Sequence, residues 1–94
     1  MKTVIGGLLY DTKKAVLLAS NRFWDGHNYE RSGRNTFLYK TKNGRYFAFQ
    51  STRWQGERDG IAALSKDDAK TMYEELPERE KDYEFAFGEI PKDA

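Results

Sequence analysis

The sequence predicts an α+β domain in which a small antiparallel sheet of four to five strands is followed by two C-terminal helices packed on one face. Three observations carry that prediction. Short β-prone runs separated by turn residues fill residues 1–63. Ser65 then offers a helix cap, and the apolar residues after it recur at helical spacing. Charge divides near the same point: residues 1–58 hold eleven Lys and Arg against four Asp and Glu, a net of +7, while residues 59–94 hold five against eleven, a net of −6. The overall charge of +1 therefore conceals a basic sheet part, 1–63, and an acidic helical part, 64–90, in a single domain with a short frayed tail, 91–94.

The first two runs, 4–10 and 15–19, flank Asp11-Thr12-Lys13-Lys14, a polar connection of hairpin length. The next two, 36–41 and 45–51, flank Asn43-Gly44, a pair favoured in type I′ turns because both central residues need positive φ. With Asn43-Gly44 as a two-residue loop, Lys42 pairs with Arg45, Thr41 with Tyr46, Tyr39 with Ala48 and Leu38 with Phe49. Alternation then sets Leu38, Phe47 and Phe49 on the expected core face, and Phe37, Tyr39 and Tyr46 on a half-wet one. Residues 61–64 supply a last strand. Ser65 caps the first helix with Asp68 at N3, Asp67 and Asp68 suit the positive end of its dipole, and Ala69, Met72, Tyr73 and Leu76 form its apolar stripe. Pro77 ends that helix or starts the next. The second helix is expected over 78–87, with Tyr83, Ala86 and Phe87 on one side and Gly88 as C-cap, although Tyr83, Phe85 and Phe87 also alternate as a strand would.

A chain of 94 residues, 38% hydrophobic and 15% aromatic, has room for one core that is lean in aliphatic side chains and rich in rings. The absence of cysteine excludes disulfides and thiolate metal sites and is compatible with a reducing compartment. The apolar stretch 4–10 is too short for a membrane span and is broken by Gly6-Gly7, so a cytoplasmic protein is expected. Catalysis is not. His27 is the only histidine, and with Asp25 it makes two ligands on one loop, which is not a metal site; Ser20, Ser32 and Ser51 have no other base to turn to. Neither cofactor nor metal is therefore expected.

Four segments carry a resemblance. Tyr10-Asp11-Thr12, the run from Leu38 through Thr41-Lys42-Asn43-Gly44 to Phe47, Leu64-Ser65-Lys66-Asp67-Asp68-Ala69-Lys70, and Tyr83 with Phe87-Gly88-Glu89 follow one another along the chain. In this order they resemble a group of short proteins carried by bacteria, phages and integrative elements, with the pattern YDT, LYxTKxG, LSxxEA, YEEIFGE. The resemblance spans nearly the whole chain and rests on turn and cap chemistry, so it speaks to fold more than to activity. It implies a bacterial host and a counter-defence role, such as an anti-CRISPR inhibitor. This chain departs from the pattern in two loops, which the family cannot explain.

Those loops, 20–35 and 50–59, gather the expected partner-binding residues: Arg22, Phe23, Trp24, His27, Tyr29, Arg31 and Arg34 in the first, Arg53, Trp54 and Arg58 in the second. Trp, Tyr and Arg dominate binding hot spots because they join large desolvated area to directed hydrogen bonds. A blander role is to cap the open end of the sheet. Asp67, Asp68, Glu74, Glu75, Glu78 and Glu80 form a secondary acidic face that suits a basic, nucleic-acid-binding groove on a partner. The expected function is a non-catalytic protein-binding module that inhibits a bacterial defence protein, with a CRISPR effector or another nucleic-acid-binding complex as partner. The alternative is a single-stranded nucleic-acid-binding module that stacks bases on Tyr39, Tyr46, Trp24 and Trp54.

Overall fold

A computed structural model describes residues 1–21, 34–52, 56 and 58–93. Its elements run β1(Lys2–Ile5), β2(Leu8–Asp11), β3(Val16–Ser20), β4(Arg34–Lys40), β5(Tyr46–Thr52), β6(Gly60–Leu64), α1(Lys66–Glu75), β7(Glu78–Arg79) and α2(Tyr83–Phe87). The fold is α+β: a five-stranded antiparallel sheet in the order β6-β5-β4-β3-β7, a separate two-stranded sheet β1-β2, and two short helices. β4 and β5 reach into both predicted loops, since Arg34 and Asn35 belong to β4 and Gln50 to Thr52 belong to β5.

The run 4–10 is not one strand. Gly6 and Gly7 have φ of 58° and 79°, which gives a type I′ turn that pairs Ile5 with Leu8 and folds the segment into a hairpin. The turn predicted at Asn43-Gly44 is of another kind. Only Gly44 has positive φ, at 81°; its N–H donates to Thr41 O at 3.0 Å, and Thr41 N–H donates to Arg45 O at 2.8 Å. Thr41 thus closes a three-residue loop, a type I turn with a glycine bulge. Thr41 Oγ1 also accepts from Arg45 N–H at 3.0 Å, a bond that a two-residue loop would forgo.

That extra loop residue shifts the register by one and corrects the expected faces. Lys40 faces Tyr46, Tyr39 faces Phe47, Leu38 faces Ala48 and Phe37 faces Phe49. Phe47 and Phe49 therefore share a face with Phe37 and Tyr39, while Tyr46 turns to the face of Leu38. Tyr46 is buried, and its hydroxyl donates to Ala86 O at 2.7 Å. Burial holds its pKa above the ordinary phenol value, so it stays a neutral donor.

The helices form where their caps stand. Ser65 Oγ accepts from Asp68 N–H at 3.0 Å, as the cap pattern predicts. Ala69, Tyr73 and Leu76 from this end of the chain join Ala86 and Phe87 of α2 and Leu18, Ala19, Leu38 and Tyr46 of the sheet in one buried cluster. The second helix is shorter than the expected 78–87. Glu78 and Arg79 pair with Ser20 and Ala19 as strand β7, and helix begins only after Asp82, whose carboxylate accepts from Phe85 N–H at 2.8 Å. Gly88, at φ 68°, ends it as predicted. The cause of the early strand lies in β3. Leu18, within the bulge between Leu17 and Ala19, turns its carbonyl to β7, where it accepts from Glu80 N–H at 2.8 Å and Lys81 N–H at 3.3 Å.

Beyond α2, Glu89 clamps back on α1. Its carboxylate accepts from Lys70 at 2.8 Å and Lys66 at 3.0 Å. These bonds, that to Lys70 first, lower its pKa from 4.5 to about 2. A depressed carboxylate stabilises the fold fully above its unfolded value and loses that contribution as pH falls through its folded value. Glu89→Gln should therefore lower the melting temperature slightly at pH 7, because the pair is solvent-screened, and the gap from wild type should close between pH 4.5 and about 2. An undiminished gap at pH 2 would show that the clamp is not electrostatic.

Candidate functional site

Strand order brings one end of the sheet together from four directions. β3 ends there at Ser20, β4 begins at Arg34, β5 ends at Thr52 and β6 begins at Gly60. Arg34 and Thr52 are direct cross-strand partners, so the segment ending at residue 33 and the segment beginning at residue 53 attach to neighbouring points. Of the expected binding residues, Arg22, Phe23, Trp24, His27, Tyr29, Arg31, Arg53 and Trp54 lie outside the described residues. Arg34 opens β4, and Arg58 is exposed just before β6.

The acidic residues divide into two groups. Asp67, Asp68, Glu74 and Glu75 are exposed on the side of α1 opposite Ala69 and Tyr73, the first two at its start and the second two at its end. Glu78 and Glu80 instead belong to the edge of the sheet. Glu78 pairs with Ser20, so it sits at the corner from which residues 22–33 depart. Part of the acidic face, Glu78, therefore stands beside Ser20 at the β3–β7 corner, a neighbourhood invisible in a chain that separates the two by more than 50 residues.

The sheet face that carries Phe47 is a layer of rings. Phe37 stacks on Phe49 at 5.7 Å, Tyr39 stacks on Phe47 at 5.1 Å, and Tyr10 of the hairpin meets Phe47 edge-on at 5.5 Å. Phe47 and Tyr10 are buried; Phe37, Tyr39 and Phe49 are half-buried. The ring pairs are cross-strand pairs, which is why the layer runs along the strands toward the Arg34–Thr52 end. Beyond Phe37, on the same alternation, comes Asn35. It is 6% exposed, and its side-chain oxygen has no hydrogen-bond partner among the described residues. A buried acceptor left unmade costs about 1 to 3 kcal/mol. Sequence reading missed Asn35 because a lone polar residue beside a loop reads as loop.

The base-stacking set loses one member here: Tyr46 is buried on the other face and bonded to Ala86, so it presents no ring to a nucleic acid. Lys40, its cross-strand neighbour, donates to Phe85 O at 3.2 Å. Among the described residues, no three His, Cys, Asp or Glu cluster as metal ligands, and no helix is long and apolar enough to cross a membrane.

No family model, curated protein or solved structure matches the chain.

Proposed function

We propose that this chain is a non-catalytic protein-binding module that docks through the end of the sheet where residues 22–33 and 53–57 attach. One observation carries the reading: Arg34 and Thr52 are paired, so two segments rich in Arg and Trp spring from adjacent points of a rigid sheet. Binding residues on loops held by a rigid scaffold are the common arrangement for recognition. Asn35 supports it, since a partner's N–H would satisfy its buried oxygen. Glu78 at the same corner gives the surface charges of both signs, which favours an oriented partner over a uniformly charged one. The resemblance to mobile-element proteins lends the proposal its specific form, an inhibitor of a bacterial defence protein in the manner of an anti-CRISPR, acting in the bacterial cytoplasm.

The experiment is capture of partners by the tagged full chain from a phage-susceptible bacterium, followed by affinity measurement on the partner found. Trp24→Ala or Trp54→Ala should weaken that binding by about 2 kcal/mol or more while the melting temperature holds. A collapse of stability with both variants would instead assign the tryptophans to capping the sheet.

The second reading, single-stranded nucleic-acid binding, is favoured by the half-buried rings of Phe37, Tyr39 and Phe49 on one face. Micromolar binding to a random single strand at about 0.15 M salt, with a steep salt dependence and tryptophan quenching, would put it first.

A further inference from the structure

We propose that a cleft at the opposite end of the sheet, independent of the docking end, binds a small phosphate monoester with a ring-bearing body. The cleft has a volume of about 340 Å³, near the lower limit of small-molecule sites. Three elements contribute a cation to its lining: Lys40 ends β4, Arg45 follows the β4–β5 turn, and Lys66 opens α1. Among the described residues, no carboxylate lines it. Glu89 holds Lys66, but shares its single charge with Lys70, so positive charge remains in excess around the opening. Arg45 is exposed, and no ion pair holds it among the described residues.

The remaining lining fits the two halves of such a ligand. Ser65 Oγ accepts from Asp68 N–H and keeps its own proton to donate to a phosphate oxygen. Half-buried Leu64, with the exposed edges of the buried Tyr10 and Tyr46, gives the cleft an apolar side for the ring of such a ligand. Tyr46 is pinned to Ala86 and Tyr10 packs on Phe47, so this side is set before any ligand arrives. Arg45 is the cation left open, while Lys40 donates to Phe85 O at 3.2 Å and Lys66 to Glu89; with three cations in one lining, a dianion with three terminal oxygens is matched better than a singly charged carboxylate. A fork-shaped guanidinium at Arg45 suits two of those oxygens at once.

The test uses phenyl phosphate as probe, titrated into the isotope-labelled full chain at about 0.15 M salt and followed by amide NMR shifts. Saturable shifts at Gly44, Arg45, Leu64, Ser65 and Lys66 are expected, with inorganic phosphate binding more weakly for want of the ring. Arg45→Gln should raise Kd about tenfold or more, and Lys66→Gln should act in the same direction. Lys42→Gln removes an equal charge from the same turn but outside the lining, and should leave Kd unchanged. Equal weakening by Lys42→Gln and Arg45→Gln would reduce the effect to general electrostatics and overturn the proposal. So would shifts that never saturate. Tighter binding at these amides by a DNA oligonucleotide without a terminal phosphate would reassign the cleft to a polymer backbone, and that result too would overturn it.

Discussion

Phe47→Ala is expected to lower folding stability by about 3 to 5 kcal/mol, the range for deleting a fully buried aromatic side chain. Phe47 has no exposure at all, although it lies on the sheet face away from the buried cluster of the helices. Tyr39 stacks against it and Tyr10 meets it edge-on from the hairpin, so its ring is one point, beside the contact of β1 with β6, at which the separate β1-β2 sheet is fastened to the five-stranded one. A two-stranded hairpin is marginal by itself, and loss of this anchor should loosen it. For a domain of this size the cost corresponds to roughly 4–8 °C per kcal/mol, so thermal melting monitored by circular dichroism will resolve it. Phe49→Ala, half-buried on the same face, should cost less. If the two variants melted alike, Phe47 would not be a fastening point.

The second large effect is expected at Tyr73, where α1, β7 and α2 meet. Its ring lies edge-on to Phe87 at 5.6 Å and to Tyr83 at 6.0 Å, and the Arg79 guanidinium sits 5.2 Å above it. Its hydroxyl donates to Lys81 O at 2.7 Å, while its own carbonyl accepts from Arg79 Nε at 3.1 Å. Tyr73→Ala should cost about 3 to 5 kcal/mol, and Tyr73→Phe about 1 to 3 by leaving the Lys81 carbonyl without its donor. Chemical denaturation of both variants separates ring from hydroxyl. A Phe variant as unstable as the Ala variant would contradict this division, and a neutral Ala variant would remove Tyr73 from the junction.

The sequence made the helix at Ser65 legible because cap, first-turn acids and apolar stripe agree within a dozen residues. It misled at Asn43-Gly44, where one positive-φ glycine serves two turn types that differ by one residue in loop length, and where Thr41 Oγ1 decides between them. One residue is enough to exchange Tyr46 for Phe47 across the sheet. Residues 78–79 were illegible for a different reason: a two-residue strand has no periodicity, and the carbonyl that recruits the chain there belongs to Leu18. At the Arg34–Thr52 end of the sheet, the richness of the flanking segments in Arg and Trp was visible in the sequence. The pairing of Arg34 with Thr52, that of Glu78 with Ser20 and the buried side chain of Asn35 were not, since each depends on which strands are neighbours.

The bond from Leu18 to the chain at residues 80 and 81 also orders events during synthesis. β3 emerges from the ribosome early, flanked on one side by β4, but its other edge acquires a partner only when β7 has been made, about 60 residues later. Until then the nascent sheet carries an open edge of the kind that pairs with foreign strands. The acidic stretch that follows Asp59 thus completes the sheet as well as decorating it, and a chain stopped before residue 78 would leave the ribosome with that edge uncovered.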